Sequence, residues 1–187
     1  MKINSNDIRV GNVLEHNSKL WIVTKTMHVQ PGKGGAFMQV EMKEMRGGSK
    51  LNERFRAADT VEKVFLDEMV FQFLYRDGEN LHFMNQETFE QIQLPAELVG
   101  DSVAFLSDGM LANVSMYENT PVSISLPATV TLEIVEAEPV VKGQTATSSY
   151  KPAVLSNGVK IMVPQHIEAG TMVVVDTSNA SYVERAK

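Results

Sequence analysis

The chain has 187 residues, of which 43% are hydrophobic and 21% are charged, and its net charge is −6. This composition excludes wholesale disorder, a collagen-like chain and a coiled coil, and no apolar run reaches the roughly 20 residues that span a bilayer. There are no cysteines, which excludes disulfides, zinc–thiolate sites and cysteine nucleophiles. We therefore expect a cytoplasmic protein of one to three domains, with no secretion signal and no membrane contact.

The charge is distributed unevenly along the chain. Residues 1–64 hold 11 Lys/Arg and 7 Asp/Glu, a net charge of +4. Residues 65–127 hold one Arg and 10 acidic residues, a net charge of −9, whereas residues 128–187 hold 5 basic and 6 acidic residues, a net charge of −1. A polyanion such as RNA would be attracted by the first third and repelled by the second.

Short strands separated by turn residues are predicted along nearly the whole chain. In the first third, Asn17-Ser18 marks one turn and a Gly-rich loop marks a hairpin. The strands predicted there are Val13–His16, Leu20–Thr24, Met27–Gln30, Ala36–Met45 and Lys50–Arg56.

The middle third is predicted to hold two hairpins. Arg76–Glu79 is the strongest short hairpin signal in the chain, and Glu118–Pro121 marks the second turn. Between them, Glu87–Leu98 predicts a strand with one helical turn. The strands that these turns join are predicted at Val64–Tyr75, Leu81–Met84, Met110–Tyr117 and Val122–Leu126.

In the last third, apolar alternation predicts strands through 130–134 and 159–163, and an apolar run predicts a buried strand at 173–175. Lys142–Tyr150 is predicted to be a polar loop, and no long amphipathic helix is evident. Because turns and charge both change near residues 64 and 127, we predict three small β-domains. Their ranges are 1–64, 65–127 and 128–187.

The loop Pro31-Gly32-Lys33-Gly34-Gly35 is the most informative motif. Its proline fixes φ on entry, and its three glycines allow positive φ and add no side-chain bulk. Lys33 is thus presented alone at the tip of a thin arm. The loop lacks the spacing of a Walker A motif, and on composition alone it is also compatible with a solvated hairpin tip.

Five cations within 14 positions of the first third leave two interpretations open. They form either a solvated face interleaved with Glu41, Glu44 and Glu53, or a face that contacts phosphates. Acidic pairs such as Asp67 and Glu68 have no His, Ser or metal-ligand companion at a useful spacing, which disfavours catalysis. The five cations are Lys43, Arg46, Lys50, Arg54 and Arg56.

Over essentially its whole length the chain resembles the family of bacterial translation elongation factor P. The arm, Pro31–Phe37, is similar to the signature loop of the family, although Gly35 stands where one branch often has Gln. The loop Gln144–Tyr150 departs from the usual family sequence. Further similar segments are Ser5–Gly11, Tyr75–Gln91, Leu132–Val135, Lys151–Ala153, Val163–Pro164, Val175–Thr177 and Tyr182–Arg185.

The resemblance implies an all-β fold of three small barrels, an SH3-like (KOW-type) barrel followed by two OB-folds, in an elongated, L-shaped, tRNA-like arrangement. It implies binding to the 70S ribosome between the P and E sites and relief of stalling at consecutive prolines. Lys33 would then contact the acceptor end of the P-site peptidyl-tRNA. Tyr182 and Arg185 match an RNA-contacting pair of the family's C-terminal domain.

The resemblance also implies a covalent β-lysyl extension on the ε-amine of Lys33, added by an enzyme similar to lysyl-tRNA synthetase. Other branches of the family carry other extensions at the tip. We expect no other cofactor, no metal and no enzymatic activity, and we expect a monomer.

Two functions of other classes remain as alternatives. A stand-alone OB-type RNA-binding module predicts aromatic side chains exposed on a barrel face. Phe71, Phe73, Tyr75 and Phe83 instead mostly alternate like core residues, and the acidity of the middle third opposes that function. A hydrolase or transferase is disfavoured because no catalytic constellation is present.

Overall fold

The computed structural model describes residues 1–139 and 150–187 and is built almost entirely from β-strands. Its helices are a short α1 (Ala96–Val99) and two 3₁₀ turns, Ser5–Asp7 and Gly100–Phe105. Of the helices described, none has the length and apolar character needed to cross a bilayer. The strands are β1 (Lys2–Asn4), β2 (Val13–His16), β3 (Lys19–Val29), β4 (Phe37–Glu44), β5 (Lys50–Arg56), β6 (Thr60–Val64), β7 (Asp67–Asp77), β8 (Asn80–Asn85), β9 (Gln91–Pro95), β10 (Leu111–Tyr117), β11 (Thr120–Ser125), β12 (Thr129–Ala137), β13 (Tyr150–Leu155), β14 (Lys160–Pro164), β15 (Met172–Asp176) and β16 (Ser181–Arg185).

The strands form three sheets, which confirms the predicted all-β class with three barrel-like domains. The first sheet has the strand order β1-β6-β2-β3-β4-β5, the second β11-β10-β7-β8-β9 and the third β14-β13-β12-β15-β16. The domain boundaries after residues 64 and 127 and the L-shaped arrangement stay predictions.

Contacts within the chain group its residues into two compact units. The first unit comprises residues 1–69 and 114–123, and the second comprises 70–113 and 124–187. The core of the first unit is centred on Leu14, Trp21 and Val40, which are almost fully buried. Burial of such side chains is the main source of stability in a small β-domain.

The second unit contains two buried clusters. In one, Phe73 and Phe83 meet edge to face with ring centroids 5.3 Å apart. In the other, Phe105 from the second 3₁₀ turn joins buried residues of the third sheet such as Ile134 and Val173. The Ser102 hydroxyl donates to the Thr177 carbonyl at 3.0 Å, which ties the same turn to that sheet.

Most predicted strands are confirmed, and several differ in their bounds. β2 and β5 have the predicted bounds, whereas β3 runs through the predicted break near residue 25. Val64–Tyr75 is wrong as a single strand, because β6 ends at Val64 and β7 begins at Asp67. The strands β1, β6, β13 and β16 were not predicted. Residues 142–149 of the predicted polar loop lie outside the described residues.

The turns follow the predicted glycine and asparagine signals. Gly78 has φ +60° in the hairpin between β7 and β8. The turn between β10 and β11 is only Glu118–Asn119, with φ +48° and +62°, because Pro121 lies inside β11. A proline is tolerated there since β11 is an edge strand of its sheet.

We predict that Leu14→Ala destabilises the first unit by about 2–5 kcal/mol, because Leu14 is only 1% exposed and its loss leaves a cavity. Leu14 lies opposite Trp21, the single tryptophan, so urea unfolding followed by tryptophan fluorescence reports on this core. The control Leu111→Ala removes a side chain that is 48% exposed and should change the midpoint little. Equal effects of the two substitutions would contradict this account of the core.

Candidate nucleic-acid interface

Lys33 lies at the tip of an arm that continues the ladder between β3 and β4. The two strands pair from Trp21↔Glu44 out to Val29↔Phe37, and residues 30–36 form the loop between them. Residues 31–35 are all exposed. Among the described residues, none forms a hydrogen bond or ion pair with the Lys33 side chain, so its amine is free to meet a partner.

The three loop glycines have different roles in the structure. Gly34 has φ +112°, a backbone conformation that residues with a Cβ rarely adopt. Gly32 and Gly35 do not have positive φ, and a Cβ at either position would meet no atom within 4 Å. Gly34 therefore permits the turn, whereas Gly32 and Gly35 keep the arm thin.

The strand register shows which side chains share a face next to the arm. Directly opposed residues of antiparallel strands point to the same side of the sheet. Phe37 lies opposite Arg56, and Lys43 lies opposite Lys50. The alternate residues of β4, such as Val40, are buried in the core. One outer surface of β3, β4 and β5 thus starts at the arm and runs along the sheet.

A β-bulge adds Lys25 to this surface. The register shifts between Val23, which lies opposite Met42, and Lys25, which lies opposite Glu41. The extra residue is Thr24, whose hydroxyl donates to the Glu41 carbonyl at 3.1 Å. Without the bulge, a period of two would point Lys25 to the core side with Val23.

The outer surface carries five cations and one carboxylate, and we call it the basic face. Its cations have exposed side chains, and its acidic residue is Glu41. Such an excess of positive charge on a sheet attracts phosphates. The cations of the basic face are Lys25, Lys43, Lys50, Arg54 and Arg56.

Between residues 43 and 56, the charged residues that do not belong to the basic face contact groups elsewhere. A carboxylate oxygen of Glu44 lies 3.1 Å from the Lys19 amine, and one of Glu53 lies 3.6 Å from Nε2 of His16. Arg46 donates to the Pro121 carbonyl at 3.4 Å. The separation of these groups favours a phosphate-contacting face over an evenly interleaved solvated one.

An arginine is held over an aromatic ring where the basic face meets the arm. The Arg54 guanidinium carbon lies 4.2 Å from the centroid of the Phe37 ring. A cation–π contact of this kind restricts the side chain before any ligand arrives. Sequence reasoning missed this pair; the alternation of β4 against β5 was the signal that could have found it.

Tyr182 and Arg185 lie on one face of the third sheet because of another bulge. Tyr182 lies opposite Val175 and Arg185 lies opposite Val173, with the register shift between Val174 and Val175. The two residues are three positions apart, so on a regular strand without a bulge they would face opposite sides of the sheet. Tyr182 packs partly against the third core, whereas Arg185 is exposed near the end of the strand.

Four aromatic residues of the middle third were predicted to alternate mostly like core residues, and three of the four are buried. Phe71, Phe73 and Phe83 are buried, but Tyr75 is 51% exposed and stacks on His82 with the ring centroids 4.3 Å apart. Tyr75 departs from the core pattern because the register shifts between Phe73 and Tyr75. Phe65 and Phe89 are exposed as well, at 67% and 69%, so this third of the chain does present aromatic side chains of the kind that a stand-alone RNA-binding module predicts.

Metal-binding groupings are not found among the described residues. No cluster of three or more His, Asp or Glu side chains there could hold a metal ion. The pair Asp67 and Glu68 is not isolated, since Glu68 accepts a hydrogen bond from the Ser115 hydroxyl.

Comparison with known proteins gives matches over nearly the whole chain. Three family models match it: the elongation factor P KOW-like domain at residues 4–61, the OB domain at 66–124 and the C-terminal domain at 130–185. Proteins named elongation factor P from Chelativorans sp., Brucella canis and Zymomonas mobilis are each 58% identical over 186 residues, covering 100% of both chains.

Solved structures show a related fold. Eukaryotic translation initiation factor 5A from Methanococcus jannaschii matches with a TM-score of 0.57 and 19% identity, covering 68% of this chain and 92% of that chain. An eIF-5A family protein from Naegleria fowleri matches with a TM-score of 0.51 and 16% identity, covering 67% and 98%.

We predict that Gly34→Ala changes the conformation of the arm, because alanine is strained at φ +112°. The amide chemical shifts of residues 30 and 32–36 should move widely in a ¹H–¹⁵N spectrum. Gly35→Ala is the matched control and should perturb only its immediate neighbours, because nothing lies within 4 Å of its Cβ position. Equal perturbation by both variants would contradict the distinction.

A second prediction concerns the turn that leads into β16. The Ser178 hydroxyl donates to the Asp176 carboxylate and, with backbone donors of Ser178 and Asn179, lowers the pKa of Asp176 below its ordinary value of 3.8. The ionised carboxylate therefore stabilises the turn above that ordinary value, and the stabilisation is lost as pH falls through the lower, folded-state pKa.

Ser178→Ala should raise the pKa of Asp176 toward 3.8 in an NMR titration of the carboxyl carbon. Ser181→Ala, whose hydroxyl instead donates to the Asn179 side chain, is the control and should leave that pKa in place. If neither substitution changes the pKa of Asp176, the Ser178 hydroxyl is not the main cause of the lowered pKa.

Proposed function

Because the chain belongs to the elongation factor P family, whose members are translation factors rather than enzymes, we propose that it acts on the bacterial ribosome at consecutive prolines. In this proposal it binds the 70S ribosome in the cytoplasm as a monomer, between the P and E sites. There it stabilises the P-site peptidyl-tRNA and promotes peptide-bond formation.

The observation that carries the proposal is the isolation of Lys33. The side chain is exposed at the tip of an arm flanked by glycines, without a partner among the described residues. A single cation on so thin a support suits entry into a crowded RNA cavity. There it can contact the sugar–phosphate backbone without reading bases, so the end of any tRNA would be accepted.

The chemistry of proline explains why such a contact is sufficient. Proline is a secondary amine with a locked φ, and it is poorly placed both as nucleophile and as donor. Holding the acceptor end of the P-site tRNA in a reactive geometry lowers the entropic part of the barrier without a new catalytic group. The protein would therefore act by positioning.

The reach of Lys33 is consistent with a covalent extension. An extended lysine side chain reaches only about 6 Å from its Cα, judged from single-bond lengths. An amide between its ε-amine and β-lysine, made by an enzyme similar to lysyl-tRNA synthetase, would about double that reach and add an amine. Arginine at this position would keep the charge but could not be acylated in the same way.

The two ends of the chain have separate parts in the proposal. The basic face lies beside the arm, in the third of the chain with a net charge of +4, and would supply contacts to the RNA backbone. In the third sheet, Arg185 is exposed on the same face as Tyr182 and would add a further RNA contact.

We predict that Lys33→Ala abolishes relief of stalling while leaving the melting temperature unchanged, because the exposed tip has no packing to lose. The measurement is synthesis of a reporter with three consecutive prolines in a lysate depleted of the native protein. Protein from its native source should restore synthesis, and a peptide mass at Lys33 would identify the extension.

Lys160→Ala removes another exposed lysine, in β14, and should restore synthesis as well as the wild type. If the native protein and Lys33→Ala are equally inactive while a proline-free reporter is translated, the proposal fails. Tight binding of naked single-stranded RNA in a gel shift would then favour the RNA-binding module.

A further inference from the structure

A groove of about 600 Å³ lies at the root of the arm, and we call it the arm-root groove. It is bordered by the end of the arm on one side and by the turn after β5 on the other. Its size is within the range of sites that hold a small organic ligand. The lining residues that matter here are Gly35, Ala36, Phe37, Arg54, Arg56 and Ala57.

The backbone on both sides of the arm-root groove is fixed. The Ala57 amide donates to the Ala36 carbonyl at 3.0 Å, which ties the turn after β5 to the arm. Phe37 pairs directly with Arg56 in the ladder between β4 and β5. Gly35 leaves open space, since nothing lies within 4 Å of its Cβ position. The groove is therefore preformed, and a ligand would not have to open it.

Its charge is positive and uncompensated. Arg54 is restrained by its contact with the Phe37 ring at 4.2 Å. Among the described residues, no carboxylate oxygen lies within 4.0 Å of a guanidinium nitrogen of Arg54 or Arg56, so neither arginine forms an ion pair there. Two acidic residues are close in sequence: Glu53 pairs with His16 at 3.6 Å, and Asp59 accepts a hydrogen bond from the Arg56 backbone amide at 2.7 Å. Two guanidinium groups thus remain available to an anion.

The other residues that line the groove have no side-chain groups that could distinguish one base from another. Apart from the two arginines, the residues that line the groove are glycine, alanine and phenylalanine, which offer no side-chain hydrogen bond. Guanidinium groups bind phosphate through paired hydrogen bonds, and their planes stack on unpaired bases. This combination suits a sugar–phosphate unit with an unstacked base of any identity.

We infer that the arm-root groove binds one unpaired nucleotide of RNA, with its phosphate on Arg56 and its base against the Arg54 guanidinium. The inference rests on the proposed function, which brings the arm to RNA. Lys33 is four residues from Phe37, so an extended chain places their Cα atoms at most about 14 Å apart. The nucleotide belongs either to the tRNA end that Lys33 contacts or to a strand of ribosomal RNA beside it.

The first test measures binding to 70S ribosomes that carry tRNA in the P site. Arg54→Lys keeps the charge but removes the planar group, so affinity should fall about tenfold with an unchanged salt dependence. Arg76→Lys is the matched control, because Arg76 is an arginine of β7 outside the first sheet, and it should bind like the wild type. Wild-type affinity of Arg54→Lys would overturn the inference.

Phe37→Leu supplies an independent check of the support beneath Arg54. Its loss of affinity should match that of Arg54→Lys, and the double variant should lose little more, because both substitutions disrupt one stack. Circular dichroism shows whether Phe37→Leu folds; if it does not, Arg54→Lys alone decides, since its side chain is exposed. Full additivity of the two losses would contradict a shared site.

The second test identifies the nucleotide. The chain has no cysteine, so Ala58→Cys places a single thiol at the edge of the groove for a benzophenone crosslinker. One crosslinked nucleotide is expected, in tRNA or in ribosomal RNA, and adding Arg54→Lys should lower its yield in line with the loss of affinity, by about tenfold. Ser49→Cys, before β5, is the control and should not give that crosslink.

The outcomes separate the two proposals. If the wild type binds ribosomes and relieves stalling but Ala58→Cys crosslinks no RNA, the groove inference is overturned and the proposed function stands. If the wild type does not bind ribosomes at all, the proposed function fails and the inference fails with it.

Discussion

The ladder between β3 and β4 is the constraint on which the rest of the site depends. The pairing of β3 with β4 begins in the buried core beside Trp21, continues past one bulge at Thr24 and ends at Val29↔Phe37, where the arm starts. Because β3 and β4 run from the core into the arm and are paired in both places, the packed core sets the direction of the arm, and the loop itself does not. An exposed lysine is thereby placed by strands that it does not touch.

The same ladder sorts the charges of the first third. Alternation along β4 and β5 points apolar side chains such as Val40 inward and cations such as Lys43 and Arg54 outward. A sheet that binds a polyanion needs this sorting, since carboxylates on the same face would cancel the attraction. Glu44 and Glu53 are turned to partners elsewhere, and Glu41 is the acidic residue left on the basic face.

Much of this organisation could be predicted from the sequence. Glycine and proline marked the arm, and period-two alternation found most strands, including β2 and β5 with their observed bounds. The sequence could not show where a β-bulge interrupts the alternation of inward and outward side chains. Extra residues in the ladders at Thr24, Leu74 and Val183 move Lys25, Tyr75 and Arg185 to faces that strict alternation would not assign. A bulge is decided by pairing with another strand, so the local pattern of one strand carries little sign of it.

In the proposed function, this chain accelerates peptide-bond formation by positioning the P-site tRNA. The most direct measurement is the rate of that step on purified ribosomes, with diprolyl-tRNA in the P site and prolyl-tRNA in the A site. The account predicts that native protein raises the rate about tenfold or more, while a phenylalanine pair changes little. An unchanged rate for proline, or the same acceleration for both amino acids, would contradict it.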